Sequence, residues 1–280
     1  MKFTKMHGAG NDYVYVNAFK QDRDCPEISR MISDRHTGIG ADGLIIAIPS
    51  DKADFQMRMF NADGSEGEMC GNGIRCLVAF AIDEGIVRKN EGLKTVETGA
   101  GVLTVTPEFN GNEMTNASVG MGYPVFEPSK VPVNILVGDW PILNYPLAVD
   151  GYDLELTFVS MGNPHAIAFI DDDVDNFPLE SVGPKVENHS LFPNKVNFEI
   201  TNVLTERHVK TRVWERGSGI TMACGTGACA VMAAAKLKNL VGDCVEVELP
   251  GGILEVRWTG CGELTMRGPV KTVFKGEWIG

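Results

Sequence analysis

The chain carries an internal repeat of about half its length, and this repeat limits its possible folds more than any other feature. The segment "MRMFNADGSEGEMCGNG" from Met57 aligns without a gap with "TRVWERGSGITMACGTG" from Thr211, a shift of 154 residues that places Cys70 on Cys224. Three further segments align in the same order at shifts of 151 to 153 residues. Because sequence repeats reflect repeated structural units, the chain is predicted to fold as two similar halves.

Both halves have the same predicted order of elements: several strands, one central helix and further strands. The predicted strands are β-branched, aromatic or alternating runs: "YVYVNAF", "GLIIAI", "DFQMRMF" and "GVLTVT", then "AIAFID", "KVNFEIT", "KTRVW" and "GILEVRW". The helix after Cys70 is expected to end at Gly85, and the Ala-rich helix after Cys224 at Gly242. Both helices are apolar on nearly every face, so each should be buried. The predicted fold class is therefore α/β (α+β), with two pseudo-symmetric halves, each a curved mixed or antiparallel sheet wrapped around a central helix.

Composition narrows the class of protein. The 280 residues are 44% hydrophobic, which suits a globular protein with a sizeable core, and the net charge of −12 disfavours nucleic acid as a partner. No apolar run approaches the roughly 20 residues that span a bilayer, and the N-terminus has no apolar signal region, so we expect no membrane partner and a cytoplasmic location. The seven cysteines are then expected to be reduced thiols, and their spacings fit no common zinc site, so no metal is expected.

The two aligned cysteines each precede a glycine and the start of a predicted helix. The first N–H groups of a helix are unpaired and the helix dipole is positive there, so a thiol at this point should have a lowered pKa. The flanking glycines allow close approach of a ligand, and their N–H groups can hold a carboxylate. If the halves pack about a pseudo-twofold axis, Cys70 and Cys224 would face each other in one cleft.

Such a pair of thiols suits inversion of an amino-acid α-carbon. This reaction removes a proton from one face and delivers a proton to the other, so it needs an acid and a base of similar strength on opposite faces. Helix N-termini directed at the substrate carboxylate would stabilise the charge that develops on it, so no cofactor is required. The remaining cysteines are expected to be ordinary structural thiols: Cys25, Cys76, Cys229, Cys244 and Cys261.

These residues resemble the active-site signatures of the diaminopimelate epimerase family. The first signature is similar to Asn61-Ala62-Asp63-Gly64-Ser65 with Cys70-Gly71-Asn72-Gly73 and Arg75, and the second to Glu215-Arg216-Gly217 with Ala223-Cys224-Gly225-Thr226-Gly227. "KMHGAGNDY" at the N-terminus and "GNPHA" from Gly162 extend the likeness over the chain. The resemblance implies a pyridoxal-phosphate-independent isomerase that interconverts LL- and meso-diaminopimelate in lysine and peptidoglycan-precursor synthesis. It also implies the family fold and a homodimer.

The resemblance assigns roles to individual residues. Cys70 and Cys224 would be the acid–base pair. The reacting carboxylate would be held by the backbone groups of Gly71, Asn72, Gly225 and Thr226. The distal centre of the substrate would be bound by the side chains of Asn11, Asn61, Asn163, Asn197, Glu215 and Arg216. Arg216 can fork onto the distal carboxylate and Glu215 can accept from the distal ammonium, which independently fits the chemistry. His165 could tune the second thiol or carry protons.

The repeat and the resemblance together set the expected domains. The N-terminal half is placed at residues 1–121 with a C-terminal strand, 269–280, that returns to it, and the C-terminal half at residues 122–268. The proline-rich region 122–139 is expected to be the crossing between the halves. Gly38 to Gly43 matches a dinucleotide fingerprint but leads into a strand rather than a helix, so that interpretation is rejected.

Other functions stay open at this point. A related two-cysteine racemase of the proline or hydroxyproline type would use the same chemistry, and the charged pair Glu215-Arg216 is the feature that disfavours it. A thiol–disulfide redox protein would use the same two cysteines, although C-x-x-C spacing is absent. An inactive amino-acid-binding protein is the third alternative. Ile220 and Gly43 depart from the family pattern, and both flank the expected site.

Overall fold

The computed structural model describes residues 1–18, 24–89, 92–135 and 140–280. The end of the predicted strand "YVYVNAF" and residues 136–139 of the predicted crossing lie outside these ranges. The chain forms two compact units, the first comprising Met1–Gly120 with Arg267–Gly280 and the second Met121–Met266.

The first unit is a mixed sheet with two α-helices among its described residues. Its elements are β1 (Lys2–Gly8), β2 (Asn11–Asn17), α1 (Cys25–Ser33), β3 (Gly43–Ile48), β4 (Phe55–Asn61), β5 (Glu66–Gly67), α2 (Gly71–Asp83), β6 (Lys94–Thr98), β7 (Gly101–Asn110) and β8 (Glu113–Gly120). The chain returns at the C-terminus as β18 (Lys271–Glu277), which pairs antiparallel with β1. The strand order is β18-β1-β2-β3-β4-β6-β7-β8, with β5 on β4.

The second unit repeats this arrangement. Its elements are β9 (Tyr145–Val149), β10 (Tyr152–Ser160), β11 (Pro164–Phe169), α3 (Leu179–Glu187), β12 (Asn197–Thr205), β13 (His208–Glu215), β14 (Gly219–Ile220), α4 (Gly225–Leu237), β15 (Cys244–Leu249) and β16 (Gly252–Arg257). Strand β17 (Thr265–Pro269) follows at the boundary, with its last three residues in the first unit. The strands pair in the order β9-β10-β11-β12-β13-β15-β16, with β14 on β13. The pairs β2–β3 and β4–β6, and their counterparts β11–β12 and β13–β15, are parallel, and the other pairs named here are antiparallel.

Each central helix packs against strands from both ends of its sheet, which requires the sheet to curve around it. Helix α2 contacts β1, β2, β3, β7 and β8, and α4 contacts β10, β11, β12, β15 and β16. Helix α2 is buried from Gly71 to Ala81, and α4 is buried over most of the same stretch. These features confirm the predicted fold class and explain why both helices are apolar all round.

A second helix in each unit was not predicted. Helices α1 and α3 are nine residues each, and they stand at the same shift of 154 residues as α2 and α4. Strand β3 is covered on both faces as a result. On one face, Leu44 and Ile46 share a core cluster with Ile32 of α1. On the other, Ile45 packs against α2 so closely that a Cβ added at Gly73 would lie 2.5 Å from the Ile45 side chain. Burial on both faces explains the unbroken apolar run "GLIIAI".

The predicted end of the second central helix is wrong. Helix α2 ends as expected, with Gly85 at a φ of +71° and the Gly85 N–H bonded to the carbonyl of Ile82. Helix α4 ends at Leu237, five residues before Gly242, and the left-handed position is taken by Asn239 at a φ of +57°. Asparagine is the residue other than glycine that most readily adopts this conformation, so the turn needs no glycine.

Candidate active site

Cys70 and Cys224 occupy the same position at the start of the two central helices. Each is the N-cap residue, with extended backbone, and each sulfur accepts a hydrogen bond 3.3 Å long from the backbone N–H three residues ahead, that of Gly73 or Gly227. An N-cap is ordinarily a Ser, Thr, Asp or Asn oxygen, so a sulfur cap in both units is unusual. The predicted placement of both thiols at helix N-termini is confirmed.

The first thiol contacts the amide side chain of Asn11, which a second amide also approaches. Its Sγ donates to Oδ1 of Asn11 over 3.2 Å, and Nδ2 of Asn72 reaches the same oxygen over 3.5 Å. The fully buried Arg75 donates from Nη2 to Oδ1 of Asn72 at 2.8 Å and from Nη1 to the carbonyl of Gly71 at 3.0 Å. Arg75 thereby fixes the orientation of the Asn72 amide. The structure thus brings three predicted residues of the first half together, and Arg75 is a support that was predicted only as part of the motif.

The second thiol begins a buried chain of hydrogen bonds. Its Sγ lies 3.4 Å from Oγ1 of Thr226, which accepts from Nδ2 of Asn163 at 3.2 Å. Oδ1 of Asn163 lies 2.9 Å from Nε2 of His165, whose Nδ1 lies 2.7 Å from Oε1 of Glu199. His165 and Glu199 are both fully buried. His165 is therefore connected to Cys224 through Asn163 and Thr226.

This chain of contacts defines where protons reside. Because the Asn163 nitrogen is used on Thr226, its oxygen faces His165, so Nε2 of His165 must carry a hydrogen. His165 then donates from Nε2 toward Asn163, and its Nδ1 faces Oε1 of Glu199 at 2.7 Å. Nε2 of His165 therefore cannot accept a proton while Asn163 keeps this orientation.

The environment of Cys224 contradicts the expectation of a lowered thiol pKa. Burial raises the pKa of Cys224 well above its ordinary value, and the nearby carboxylates of Glu215 and Glu199 raise it further. Hydrogen bonds from Thr226 and the Gly227 N–H act in the opposite direction but are outweighed. The helix N-terminus is thus one contribution among several, and the thiol form of Cys224 is favoured at neutral pH.

Three residues expected at the distal end of a substrate lie at or against the turn after β13: Glu215 ends the strand, Arg216 follows it, and Asn197 contacts the turn from the start of β12. Asn197 donates from Nδ2 to the carbonyl of Pro164 at 2.9 Å, and its Oδ1 accepts from the backbone N–H of Arg216 at 2.9 Å. The exposed Arg216 donates from Nη1 to the carbonyl of Asn194 at 3.2 Å, whereas Glu215 accepts from Thr221 at 2.5 Å. Burial raises the pKa of Glu215. Since the two charged side chains have separate partners, they are not simply an ion pair with each other.

Asn61 differs from the other predicted binding residues. It lies exposed at the end of β4, and its Nδ2 donates to Oγ of Ser65 at 2.9 Å within its own loop. Ser65 and Asp63 form a further bond of 2.6 Å between Oγ and Oδ1. The loop therefore holds Asn61 by short-range contacts.

The strand registers identify which residues are equivalent in the two units. Tyr13 stands opposite Gly43 between β2 and β3, and His165 stands opposite Asn197 between β11 and β12. Asn11 therefore corresponds to Asn163 by position. A Cβ at Gly43 would lie 2.1 Å from the carbonyl oxygen of Phe60, so this departure from the family pattern is a site without room for a side chain.

Sequence reasoning missed Tyr13 and Glu199. Burial raises the pKa of Tyr13 well above its ordinary value, with a further increase from the adjacent Cys70, so its phenol stays protonated beside the thiol. Glu199 occupies the inner-face position that Ile45 has in the first unit, two residues beyond the opposed pair in each strand. The one available signal was a carboxylate in the middle of the otherwise apolar run "NFEI".

Among the described residues, no cluster of three or more His, Cys, Asp or Glu side chains could hold a metal ion. In the same part of the chain, every helix is too short or too polar to cross a membrane.

Comparison with known proteins gives the family. The model of the diaminopimelate epimerase family matches residues 3–127 and 157–273. The chain belongs to the diaminopimelate epimerase family. A diaminopimelate epimerase from Methanococcus maripaludis is 48% identical over 279 residues, 99% of each chain, and one from Acetivibrio thermocellus is 46% identical over 280 residues, 99% of this chain and 98% of the relative. The family resemblance of the sequence is thereby confirmed, and so is the enzyme class: this family member is an isomerase of the epimerase type.

Solved structures of other proteins share the fold of this epimerase family. A Bacillus anthracis phenazine biosynthesis protein of the PhzF family has a TM-score of 0.71 at 18% identity, covering 100% of this chain and 99% of that one. A hydroxyproline epimerase from Agrobacterium vitis has a TM-score of 0.69 at 15% identity, covering 99% and 90%. At these identities the likeness concerns the fold alone.

Proposed function

We propose that this protein is a diaminopimelate epimerase that interconverts the LL and meso isomers of 2,6-diaminopimelate without pyridoxal phosphate, using Cys70 and Cys224 as its two acid–base groups. The observation that carries this proposal is the repeated sulfur N-cap, since two thiols are held in equivalent helix-start positions by hydrogen bonds of the same length. The near half-identity to curated diaminopimelate epimerases over almost the whole chain supports the substrate.

The proposed reaction is a balanced exchange of two protons. A thiolate removes the α-proton and becomes a thiol, while the electron pair of the C–H bond passes into the carboxylate. The second thiol then gives its proton to the opposite face of the α-carbon and becomes a thiolate. The raised pKa of Cys224 favours its thiol form in the resting enzyme. Return to the resting state requires only proton exchange with water.

Backbone N–H groups are proposed to stabilise the charge that develops on the reacting carboxylate. The first-turn amides of a helix have no partner within the helix, and here those positions are Gly71 and Asn72 in one unit and Gly225 and Thr226 in the other. Such preorganised donors act when charge develops and cost no reorganisation. They would stabilise the carboxylate as it takes up the electron pair, so that no pyridoxal phosphate is needed as an electron sink.

The distal centre of diaminopimelate is proposed to determine specificity. Arg216 would bind its carboxylate and Glu215 its ammonium, and the distal centre would also be bound by the amides of Asn11, Asn61, Asn163 and Asn197. A proline-type substrate has neither distal charge, so it would leave both side chains unmatched. His165 would tune the second thiol through Asn163 and Thr226, the contacts seen in the resting chain.

Location and assembly are also proposals. We expect a cytoplasmic homodimer that supplies precursors of lysine and peptidoglycan. Sedimentation of the purified protein would test this, because a monomer at micromolar concentration contradicts it.

Proton NMR of the purified protein in D2O tests the function. With LL-diaminopimelate and no added cofactor, we expect loss of the α-proton signal and appearance of the meso isomer, with no reaction in a parallel sample of L-proline. Cys70→Ser and Cys224→Ser should each lower turnover by about 10²–10⁴-fold, because a hydroxyl can cap the helix but is a poor acid–base group at neutral pH. Cys261→Ser, at an exposed thiol, is the matched control and should retain activity. Reaction with proline alone would overturn the substrate, and full activity of either variant would overturn the mechanism.

A further inference from the structure

Glu187, at the last position of α3, contacts the turn that carries Arg216. Its Oε1 accepts from the backbone N–H of Gly217 at 3.0 Å, and its Oε2 accepts from Nε1 of Trp214 at 2.7 Å. The Glu187 side chain is only 6% exposed. Lys195 also approaches Oε1, at 3.3 Å, but its side chain is 52% exposed. A buried carboxylate thus bonds the residues on either side of Glu215-Arg216.

The helix is adapted to this contact. Gly183 and Glu187 are four residues apart, so they lie on one face of α3. A Cβ at Gly183 would lie 2.6 Å from Cγ of Trp214, so only glycine lets the indole lie this close to the helix. Glycine in a helix interior costs about 0.5–1 kcal/mol relative to alanine, and Pro184 follows it inside the same helix. The close packing of Trp214 against α3 therefore explains why glycine occupies position 183, although glycine is unfavourable inside a helix.

The two hydrogen-bond partners require a carboxylate in particular. Gly217 and Trp214 both present N–H donors, and each needs an acceptor. A glutamine of the same shape has one oxygen and one NH₂ group, so one of the two donors would face another donor. Burial raises the pKa of Glu187, but the bonds from Trp214, Gly217 and Lys195 outweigh it and leave that pKa below its ordinary value.

In the first unit the short helix also contacts the equivalent loop, but its side chain donates a hydrogen bond instead of accepting one. Arg30 of α1 donates from Nη1 to the backbone carbonyl of Asp63 at 3.1 Å, and Asp63 stands 154 residues before Gly217. The Arg30 side chain is 49% exposed. The helix that contacts this loop is therefore repeated in both units, whereas the buried double acceptor belongs to the second unit.

We propose that Glu187 is a positioning residue for substrate specificity: it fixes the turn Glu215-Arg216-Gly217 so that Arg216 is held ready for the distal carboxylate of the substrate and Glu215 for its distal ammonium. This inference rests on the proposed function for the identity of those substrate groups. The hydrogen bonds from Trp214 and Gly217 to Glu187 are present in the chain without substrate. Asn197, which accepts from the Arg216 N–H, secures the same turn from the other side.

Four variants of the full-length protein test the proposal: Glu187→Gln, Trp214→Phe, the double variant, and Lys195→Gln as the matched control. Glu187→Gln should expose the Gly217 amide to faster hydrogen exchange and raise KM for LL-diaminopimelate about tenfold or more, with a smaller change in kcat, as loss of a buried hydrogen bond implies. The double variant should recover toward Trp214→Phe, because without the indole N–H the glutamine oxygen is free to accept from Gly217. Lys195→Gln should resemble the wild type.

Amide exchange separates this proposal from the proposed function. Amides within α4 serve as the internal reference for a folded second unit, and slow exchange there shows that a variant has not simply unfolded. Wild-type exchange at Gly217 and wild-type KM in Glu187→Gln would overturn the proposal. A double variant as impaired as Glu187→Gln, or an equal defect in Lys195→Gln, would also overturn it. Faster exchange at Gly217 in a protein that does not turn over diaminopimelate would support the hold on the turn and reject the proposed substrate.

Discussion

At the scale of single residues, the two thiols have the same backbone setting and different neighbours. Cys70 donates to the neutral amide of Asn11, which also accepts from Asn72, whereas Cys224 lies near two carboxylates, those of Glu199 and Glu215. The positions of both thiols followed from the repeat and the helix pattern. The raised pKa of Cys224 did not, because the carboxylates come from β12 and β13, and the sequence does not reveal how close a strand brings them to a helix start.

Glu215→Gln should make Cys224 more reactive toward iodoacetamide. The glutamine can still accept from Thr221, but it removes a negative charge that raises the pKa of the thiol. A lower pKa gives more thiolate at a given pH, so alkylation should be severalfold faster at pH 8 and its pH midpoint should move to lower pH. Peptide mass spectrometry over a pH series measures this, with Glu246→Gln, at an exposed position on β15, as the control. An unchanged midpoint in Glu215→Gln would reject the electrostatic role of Glu215.

At the scale of elements, most strands and both central helices were predictable, and the second pair of helices was not. The strands are either buried on both faces or alternate between buried and less buried residues, so a continuous apolar run or a two-residue period in the sequence identifies them. Helix α1 is nine residues and amphipathic only over two turns, and α3 contains Gly183-Pro184, a pair that is typical of a turn. Packing against the outer face of each sheet stabilises these short helices, and that contact is not visible in the local sequence.

The two central helices end by the same geometry on different residues, which gives a prediction about stability. Gly85 and Asn239 both have a left-handed φ. Gly85→Ala should lower the free energy of unfolding by about 1 kcal/mol, because adding a Cβ in this conformation costs roughly 1–2 kcal/mol. Asn239→Ala should lower it by a smaller amount, because asparagine already has a Cβ and the substitution removes only the short polar side chain that favours this conformation. Asn239→Gly should be neutral or slightly stabilising.

Denaturant unfolding followed by circular dichroism would measure these changes. Gly92→Ala, at another left-handed glycine with open space around it, calibrates the cost of the backbone conformation away from a helix end. No loss of stability in Asn239→Ala would contradict the assignment of Asn239 as the residue that ends α4.

At the scale of the whole molecule, the repeat is the feature from which most of the account follows. It gives each unit the same strand pairing, the same central helix and one sulfur-capped helix start. The repeat does not predict how the units differ. Tyr13 and His165 occupy equivalent positions but have different side-chain chemistry, and so do Ile45 and Glu199. The proposed reaction needs this combination, because two equivalent acid–base groups must act in turn while one side of the site recognises the distal charges.

The initial isotope pattern in D2O tests this central claim most directly. A monoprotic thiolate that removes the α-proton can return only that proton, whereas the second thiol has exchanged with solvent and delivers deuterium. Starting from LL-diaminopimelate, the account predicts deuterium at the inverted centre of the meso product while the remaining substrate is still protonated, with the same pattern in the reverse direction. Deuterium appearing in recovered substrate as early as in product would indicate a single base, and would contradict the assignment of one thiol to each face.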